Sequence, residues 1–289
     1  MKKTSVKTVD RLVKILDCFS FERPTWSLAE LCAELDLPKS TLHRFLVSLE
    51  AHGILRRDPV DVRWRLGYRL FIWGTLAERS TGLRQVTRPV MQDLVDATQE
   101  TALLTVYQAQ EVVCVAKVET SYPVRMTLDE GVRRPLHAGA SSKVLMAYLP
   151  SDEIQSIIRE KGLPKLCSNT ITDPAKLLEE LARIRQQGYA KSLEETDPGA
   201  WGVATPIYNP STSSGLGPST SSGLGENKDV VAAIGVAGPS SRFSDELAQQ
   251  YAALCQQAAR RISTLLSRGI DPSTSSGLGP STSSGLGPS

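Results

Sequence analysis

Hydrogen-bonding side chains crowd into the first two turns of a helix predicted within "LDLPKSTLHRFLVSLEAHGIL", residues 35–55. These donors are Lys39, Ser40, Thr41, His43 and Arg44. Apolar residues recur at the period of one buried helix face; they are Leu42, Phe45, Leu46 and Leu49. Ammonium, hydroxyl and guanidinium groups beside the free N–H groups of a helix N-terminus suit the phosphates and base edges of DNA.

Within this set, Arg44 is the candidate for reading a base, because a guanidinium can donate two hydrogen bonds to guanine. Lys39, Ser40 and Thr41 are expected to fix the register of the helix on phosphates. His43 fits either role, or simply covers the turn. For Ser40, a helix N-cap without any contact to DNA is the open alternative.

A second helix is predicted just before, near residues 27–36, and a capping box marks its start. Ser27 precedes "LAELCAEL", and Glu30 follows three residues later. Pro38 disfavours the helical conformation at Leu37, so the helix ends there. Two helices joined by so short a turn are typical of a helix-turn-helix, whose second helix enters the major groove.

A short hairpin follows in "GILRRDPVDVRWRLG", with the turn "DPVD" at its tip. Its second strand is expected to alternate, with Val62, Trp64 and Leu66 on an apolar face. Arg63 and Arg65 then lie on the other face, where they can contact the DNA backbone. A helix-turn-helix followed by a basic hairpin is a winged helix. An ordinary solvated strand face is the alternative for the two arginines.

The chain as a whole predicts an α+β fold. Further helices are expected near residues 5–20 and 67–81, and the pattern becomes mixed from about residue 82. Strand-like runs are "TALLTVYQ", "EVVCVAKVE", "VRMTLDEG" and a pair at 201–208 and 229–237. Helical runs are "RQVTRPVMQDLVDATQ", "SSKVLMAYL", "SDEIQSIIREKG", "DPAKLLEELARIRQQGY" and "SDELAQQYAALCQQAARRISTLLS". Strands in the middle with helices around them favour one sheet.

The first segment, "MKKTSVKTVDRLVKILDCF", starts like a signal peptide, but charged residues interrupt any apolar stretch. Val6, Val9, Val13 and Leu16 have the spacing of an amphipathic helix instead. No apolar run approaches the length of about 18 residues that a membrane span needs. We therefore expect a cytoplasmic protein without a membrane partner.

The composition fits two ordinary globular domains, with 289 residues of which 40% are hydrophobic. Five scattered cysteines, none in a CxxC pair, argue against a disulfide framework or a zinc site, so neither a metal nor a cofactor is expected. Residues 1–80 carry 14 Lys or Arg against 10 Asp or Glu, while the remainder carries 19 against 21. A basic first segment permits a nucleic-acid partner.

An eight-residue unit, "PSTSSGLG", occurs twice at 210–225 and twice more from Pro272. Such Ser- and Gly-rich chain is flexible and cannot bury a core. We interpret both blocks as linkers foreign to the fold, with a natural low-complexity tract as the alternative. The first block separates two strand-like runs, so it is expected to lengthen the surface turn of a hairpin.

Four stretches, in this order, carry a family resemblance: "LPKSTLHRFLVSLEAHGIL", "VRRPLHAGASSKVLMAYLP", "GYAKSLEETDPGAWGVATPIYN" and "VVAAIGVAGPSSRFSDE". In them the chain resembles the transcriptional regulators of the isocitrate lyase regulator (IclR-type) family, from about Val6 to Ile270 apart from the repeat. The resemblance implies a winged helix-turn-helix domain over 1–66, a linker helix over 67–81, a GAF-like α/β effector-binding domain over 82–271 and a linker-like tail over 272–289.

The resemblance also implies partners: a double-stranded DNA operator, a small organic acid as effector, and homodimers that can pair into dimers of dimers. Repression is the commoner mode in families of this kind. The linker helix would carry an apolar surface formed by Tyr68, Phe71, Trp73 and Leu76. Self-association is one use for that surface, and packing on the effector domain is the alternative.

Three regions of the resemblance form the effector cleft, and they place six residues around the ligand: Ala140, Ser141, Ser192, Gly202, Gly235 and Ala237. The N–H groups of "GASSK" at a helix start suit a carboxylate, whereas Lys143 is expected to be a structural or helix-face charge and not a ligand contact. The best-known keto-acid binders of the family carry an acid, a thiol and hydroxyls at the last four positions. The smaller walls here favour a larger, partly apolar acid, aromatic acids included, over glyoxylate or pyruvate.

Two other classes of function compete with this interpretation. A hydrolase would need Ser141 as nucleophile with His137 as base, but no SxxK or GxSxG motif is present, and a structural histidine is the simpler interpretation. Glu194, Glu195 and Asp197 lack a histidine to complete a metal site, so they are expected to form a solvated loop or a lid over the cleft. A winged helix that binds protein partners instead of DNA is the second alternative.

Overall fold

The computed structural model describes residues 6–126, 128–209 and 230–267. The chain divides into two compact units, one up to Thr81 and one from Gly82 onward. Each unit has its own apolar core. The predictions for the repeats at 210–225 and from Pro272 lie outside the described residues. None of the described helices is both long and apolar enough to cross a membrane.

The first unit is a winged helix-turn-helix with a small core centred on Trp64. Its elements are α1 Lys7–Asp17, α2 Leu28–Leu35, α3 Lys39–Ala51, β1 Leu55–Arg57, β2 Trp64–Leu66 and α4 Tyr68–Thr81. Trp64 forms a β-bridge with Trp26, whose Nε1 donates to the Cys18 carbonyl at 2.8 Å. Leu42 and Leu46 of α3 are fully buried beside the two tryptophans, which fixes the orientation of this helix.

The predicted capping box at the start of α2 is confirmed. The Glu30 N–H donates to the Ser27 Oγ at 3.3 Å, and the Ser27 N–H donates to the Glu30 carboxylate at 2.7 Å. Asp36 ends the helix in the left-handed conformation, with φ of 48°, and Pro38 is the N-cap of α3. The chain therefore reverses within three residues, as a helix-turn-helix requires.

The predicted apolar face of α1 is only partly correct. Val6, Val9 and Val13 are at least half exposed, whereas Ile15 is fully buried and Leu16 packs against the same core. The longer side chains reach the core, because the helix is rotated toward Ile15. The valines are left as an apolar surface strip.

The second unit is a six-stranded antiparallel sheet between two layers of helices, with strand order β5-β4-β3-β8-β7-β6. Its strands are β3 Thr101–Gln108, β4 Glu111–Val118, β5 Arg133–Arg134, β6 Ala190–Leu193, β7 Ala200–Tyr208 and β8 Val230–Pro239. Its helices are α5 Leu83–Thr98, α6 Ala140–Ala147, α7 Ser151–Lys161, α8 Pro174–Gln187 and α9 Asp245–Ser267. Val203 packs with α5 and α9, and its neighbour Ala204 packs with α6 and α8 on the other face.

Two strand predictions need correction. The run "VRMTLDEG" forms no strand among its described residues, because pairing with β4 begins only at Gly131, whose N–H donates to the Cys114 carbonyl at 2.7 Å. The short strand β6 escaped prediction, since "AKSL" has no marked apolar alternation. The predicted strand pair is confirmed, because β7 and β8 lie side by side from Ala200 to Tyr208.

We predict that Glu30→Gln lowers the melting temperature of the first unit at neutral pH. Hydrogen bonds from Ser27, backbone first, hold the pKa of Glu30 at about 2, below its ordinary 4.5. Because folding favours the carboxylate, this stabilisation is complete above pH 4.5 and is lost as the pH falls toward 2. Thermal unfolding followed by tryptophan fluorescence tests it. The variant and the wild type should converge in acid, while Glu50→Gln on exposed α3 surface should match the wild type throughout. A pH-independent difference would refute this account.

Candidate functional site

The start of α3 presents the predicted donors on one surface. Lys39, Ser40, His43 and Arg44 are exposed and Thr41 is half-buried, whereas Leu42 and Leu46 lie in the core beneath. We call these five donors the reading surface. Ser40 is the second residue of the helix and Pro38 is its N-cap, so the alternative role of Ser40 as N-cap is wrong.

The two wing arginines are held by protein partners. The Arg63 guanidinium donates to the hydroxyl and the carbonyl of Thr25, and to the Glu30 carboxylate at 2.7 Å. Arg65 pairs with Asp58 at 3.0 Å and lies 3.7 Å from Asp61. Arg63 therefore ties the wing to the start of α2, which the alternation of the strand did not indicate.

The apolar face predicted for the second wing strand is also smaller than expected. Only Trp64 is buried, while Val62 and Leu66 are 47% and 43% exposed. Val62 has φ of +58°, so it belongs to the turn and not to the strand. On the partner strand, Arg56 lies directly opposite Arg65, and both Arg56 and Arg57 are exposed. These two residues were missing from the predicted set.

In the second unit, all six residues expected around an effector line one cavity of about 100 Å3. Ala140 and Ser141 come from the start of α6, and Ser192 from β6. The strand register brings Ser192, Gly202 and Ala237 together, because Gly202 of β7 lies opposite both Ser192 on β6 and Ala237 on β8. The wall around these residues is largely apolar, with Leu103, Val112, Cys114, Met126, Leu128 and Val132.

Glycine occupies positions 202 and 235 of this sheet for different structural reasons. A Cβ on Gly202 would lie 3.3 Å from the Val236 carbonyl oxygen, 3.8 Å from the Ala140 Cβ and 3.9 Å from the Ala237 Cβ, so a side chain there needs only a small adjustment of the sheet and its absence widens the cavity. A Cβ on Gly235 would lie 2.3 Å from the Val203 carbonyl oxygen. Close strand packing therefore requires glycine at 235, whereas the space at 202 is available to a ligand.

The residues at the start of α6, from Gly139 to Ser142, line the cavity. Gly139 precedes the helix with φ of +91°, and its N–H donates to the Glu195 carboxylate at 2.9 Å. The next three N–H groups, of Ala140, Ser141 and Ser142, have no partner within the helix. Such groups, together with the helix dipole, favour a negative charge at this end of the cavity.

A buried ion pair fixes this helix start. The Lys143 ammonium lies 2.5 Å from Glu195 and 3.1 Å from Glu180, and donates to the Lys191 carbonyl at 2.9 Å. Its side chain is 2% exposed, so the expectation that Lys143 is structural is confirmed. Glu195 serves both Lys143 and Gly139, and it therefore couples the loop after β6 to the start of α6.

The acidic cluster after β6 is not a solvated loop. Glu195 is buried, and Glu194 accepts hydrogen bonds from the Gly199 N–H at 3.1 Å and the Ser240 hydroxyl at 3.2 Å. His137 is buried with its Nε2 2.9 Å from the Pro164 carbonyl, which makes it a structural histidine. Within the described ranges, no group of three or more His, Cys, Asp or Glu residues could hold a metal ion.

Five polar residues that line the cavity were absent from the predicted effector set: Thr105, Arg134, Ser142, Thr196 and Asp197. The Arg134 Nη2 lies 3.2 Å from both carboxylate oxygens of Asp197. Arg134 lies three positions before His137 in one of the resemblance stretches, which is the one signal that pointed to it. Cys114, also in the wall, is buried, and burial raises the pKa of its thiol to about 11, so it stays protonated at neutral pH.

The winged helix-turn-helix and the second, sheet-based unit define the class of two-domain DNA-binding regulators. The family model described as the IclR helix-turn-helix domain matches residues 8–59, and the one described as the bacterial transcriptional regulator IclR C-terminal matches residues 76–221. The chain belongs to the IclR family of transcriptional regulators. It binds DNA and is not an enzyme.

Relatives cover nearly the whole chain. The chain is 31% identical to the regulator BhcR of Paracoccus denitrificans, over 89% of this chain and 86% of the relative. It is 26% identical to the transcriptional repressor IclR of Escherichia coli, over 89% of each.

Solved structures agree on the fold. An IclR-type regulator from Silicibacter sp. TM1040 superimposes with a TM-score of 0.79 at 22% identity, over 90% of this chain and 96% of that chain. An IclR homologue from Microbacterium hydrocarbonoxydans in complex with 4-hydroxybenzoate gives a TM-score of 0.71 at 26% identity, over 90% of this chain and 99% of that chain.

We predict that Lys143→Met destabilises the second unit by about 3–5 kcal/mol, because it leaves Glu195 and Glu180 buried without their cation. The exposed pair of Lys191 with Asp245 offers a control: Lys191→Met should cost less than about 1 kcal/mol. Native-state hydrogen exchange of the β7 and β8 amides reports this unit separately from the first. Equal protection in the two variants would contradict the structural role of Lys143.

Proposed function

We propose that this regulator binds a specific DNA operator through the reading surface, and that a small organic acid in the cavity of the second unit modulates this binding. Repression is the expected mode, since several relatives are named repressors. The observation that carries the DNA part is the row of exposed donors at the start of α3, directly above the buried Leu42 and Leu46.

In this proposal Arg44 reads a base, and Lys39, Ser40 and Thr41 contact phosphates. His43 lies between them and fits either contact. Arg65 remains a candidate for a phosphate contact, because its ion pair is partly exposed and such pairs are weak.

We assign Arg63 to holding the wing, since its three bonds to Thr25 and Glu30 leave it committed to the protein. Arg56 and Arg57 take its place as exposed wing cations.

For the effector we propose an organic acid larger than glyoxylate or pyruvate, with an aromatic ring as the best fit. The carboxylate would bind the free N–H groups at the start of α6, and the ring would contact the apolar wall around Met126 and Leu128. The opening at Gly202 supplies room for the ring. The homologue that holds 4-hydroxybenzoate supports this class of ligand.

We also propose that the protein works as a homodimer or a dimer of dimers. On α4, Tyr68 and Phe71 are 73% and 74% exposed, and Trp73 and Leu76 are also exposed. Large apolar side chains concentrated on one helix favour association with a second copy.

We predict that selection from random duplex DNA yields a palindromic or repeated site, and that Arg44→Ala loses preference at one base position of each half-site. The discrimination of this variant between bases at that position should fall by about 1–3 kcal/mol. Lys39→Ala should instead weaken binding to all DNA sequences alike, and should reduce the slope of log affinity against log salt by about one. Titrations of the selected site at several salt concentrations measure both effects. Glu50→Gln, away from the reading surface, is the control.

A winged helix that binds a protein partner is the alternative, and the same titrations decide between the two. Phosphate contacts make log affinity fall linearly with log salt, with a slope near −0.9 per neutralised phosphate. If no sequence is enriched and binding is weak and uniform, the operator proposal is wrong.

We predict that benzoate binds the full chain more tightly than glyoxylate, and that Gly202→Val weakens benzoate at least roughly ten-fold, because the added side chain fills the space beside Ala140. Isothermal titration calorimetry measures both affinities. Glyoxylate is the internal control, since a smaller acid needs less of that space. Tight binding of glyoxylate without binding of aromatic acids would overturn the proposed class.

A further inference from the structure

An ion pair joins the two edges of the sheet across the effector cavity. Arg134 lies on β5 at one edge, and Asp197 lies in the loop between β6 and β7 at the other edge. Both line the cavity, and the Arg134 Nη2 is 3.2 Å from each Asp197 oxygen. The guanidinium is therefore held at the cavity by a carboxylate 63 positions away in the chain.

This arrangement leaves hydrogen-bond donors of Arg134 available to a ligand. A guanidinium has five N–H groups in one plane. Among the described residues, only Nη2 of Arg134 donates to protein, so Nε and Nη1 keep their N–H groups for another acceptor. The side chain is 32% exposed.

The loop that presents Asp197 is well anchored. Two positions earlier, Glu195 is buried against Lys143, and the Ala200 N–H donates to the Asp197 carbonyl at 3.3 Å. Asp197 therefore holds the Nη2 end of the Arg134 guanidinium at the cavity. An arginine whose position is supported by a neighbouring side chain presents its remaining donors with less loss of conformational freedom on binding.

The net charge of the cavity lining depends on this pair. Among the described residues that line it, Arg134 is the one cation and Asp197 the one anion, so the pair is neutral as a whole. The N–H groups at the start of α6 form a second, separate set of donors. A ligand with one acceptor group satisfies one of these sets, and a ligand with two acceptor groups satisfies both.

We propose that Arg134 is a specificity-determining residue, which binds a second hydrogen-bond-accepting group of the effector, and that Asp197 is its positioning residue. The inference rests on the proposed effector function and narrows it. The effector class becomes a ring-bearing acid with a hydroxyl or a second carboxylate remote from the first carboxylate. Benzoate alone would leave the Arg134 donors to water.

Calorimetry of the full chain with benzoate, 4-hydroxybenzoate and terephthalate tests this inference. The wild type should prefer the two substituted acids over benzoate by roughly ten-fold, as expected for a hydrogen bond to a charged group. Arg134→Met should bring that ratio close to one, and benzoate affinity should also fall, because Asp197 is then left in the cavity without its cation. Arg134→Lys, which keeps the charge, is a second variant and should reduce the ratio to an intermediate value.

Asp197→Asn should lower the same ratio less than Arg134→Met does, because the donors remain but their orientation is loosened. Arg133→Met is the matched control, since Arg133 precedes Arg134 on β5 and its guanidinium lies 3.5 Å from Glu111 at the surface. This control should leave the ratio unchanged. A merely structural role of Arg134 would weaken all three acids in proportion and keep the ratio.

The outcomes separate this inference from the proposed function. Binding of all three acids with equal affinity, or a ratio that survives Arg134→Met, overturns the role of Arg134 and leaves the aromatic-acid effector in place. If none of the three acids binds the wild type, the effector class itself is wrong and the role of Arg134 is overturned with it.

Discussion

The buried ammonium of Lys143 is the interaction on which the cavity depends. It lies inside α6, and its partners Glu195 and Glu180 come from the loop after β6 and from α8. An ammonium without partners would be very costly at this depth, so the three elements must stay together. Since Glu195 also accepts the Gly139 N–H, the same contact sets where the free N–H groups of α6 begin.

In the winged helix, Glu30 connects separate elements in the same way as Lys143 does in the second unit. Its carboxylate closes the capping box of α2 and also accepts a hydrogen bond from Arg63 of the wing. The helix-turn-helix and the wing are thereby tied through one side chain. Trp64 packs beneath the same junction, in the core that holds Leu42 and Leu46 of α3. The contacts of Glu30 and the core around Trp64 hold the start of α3, with its donors, at the surface.

Much of this could be predicted from local pattern. The period of Leu42, Leu46 and Leu49 predicted the helix α3 and its buried face, and Ser27 with Glu30 marked the start of α2. The residues around the cavity came from the family resemblance, since composition does not show that Gly202 faces Ala140.

The predictions that were wrong or missing share a physical cause, because they depend on contacts that a local sequence pattern does not show. Arg134 and Asp197 meet only because the sheet brings its two edges together, and no local period indicates this. The alternation of the wing strand predicts a DNA contact for Arg63, whereas its bond to Glu30 depends on the placement of α2 beside the wing. The face of α1 was misjudged because three valines mimic a core period that Ile15 satisfies instead.

In the proposed function, an acid bound in the second unit changes operator binding by the first. The most direct test is a pair of titrations: operator affinity with and without saturating acid, and acid affinity with and without operator. Linkage requires the same factor in both, and a regulator of this kind should show roughly five-fold or more. Saturable acid binding with a factor of one in both titrations would contradict the account.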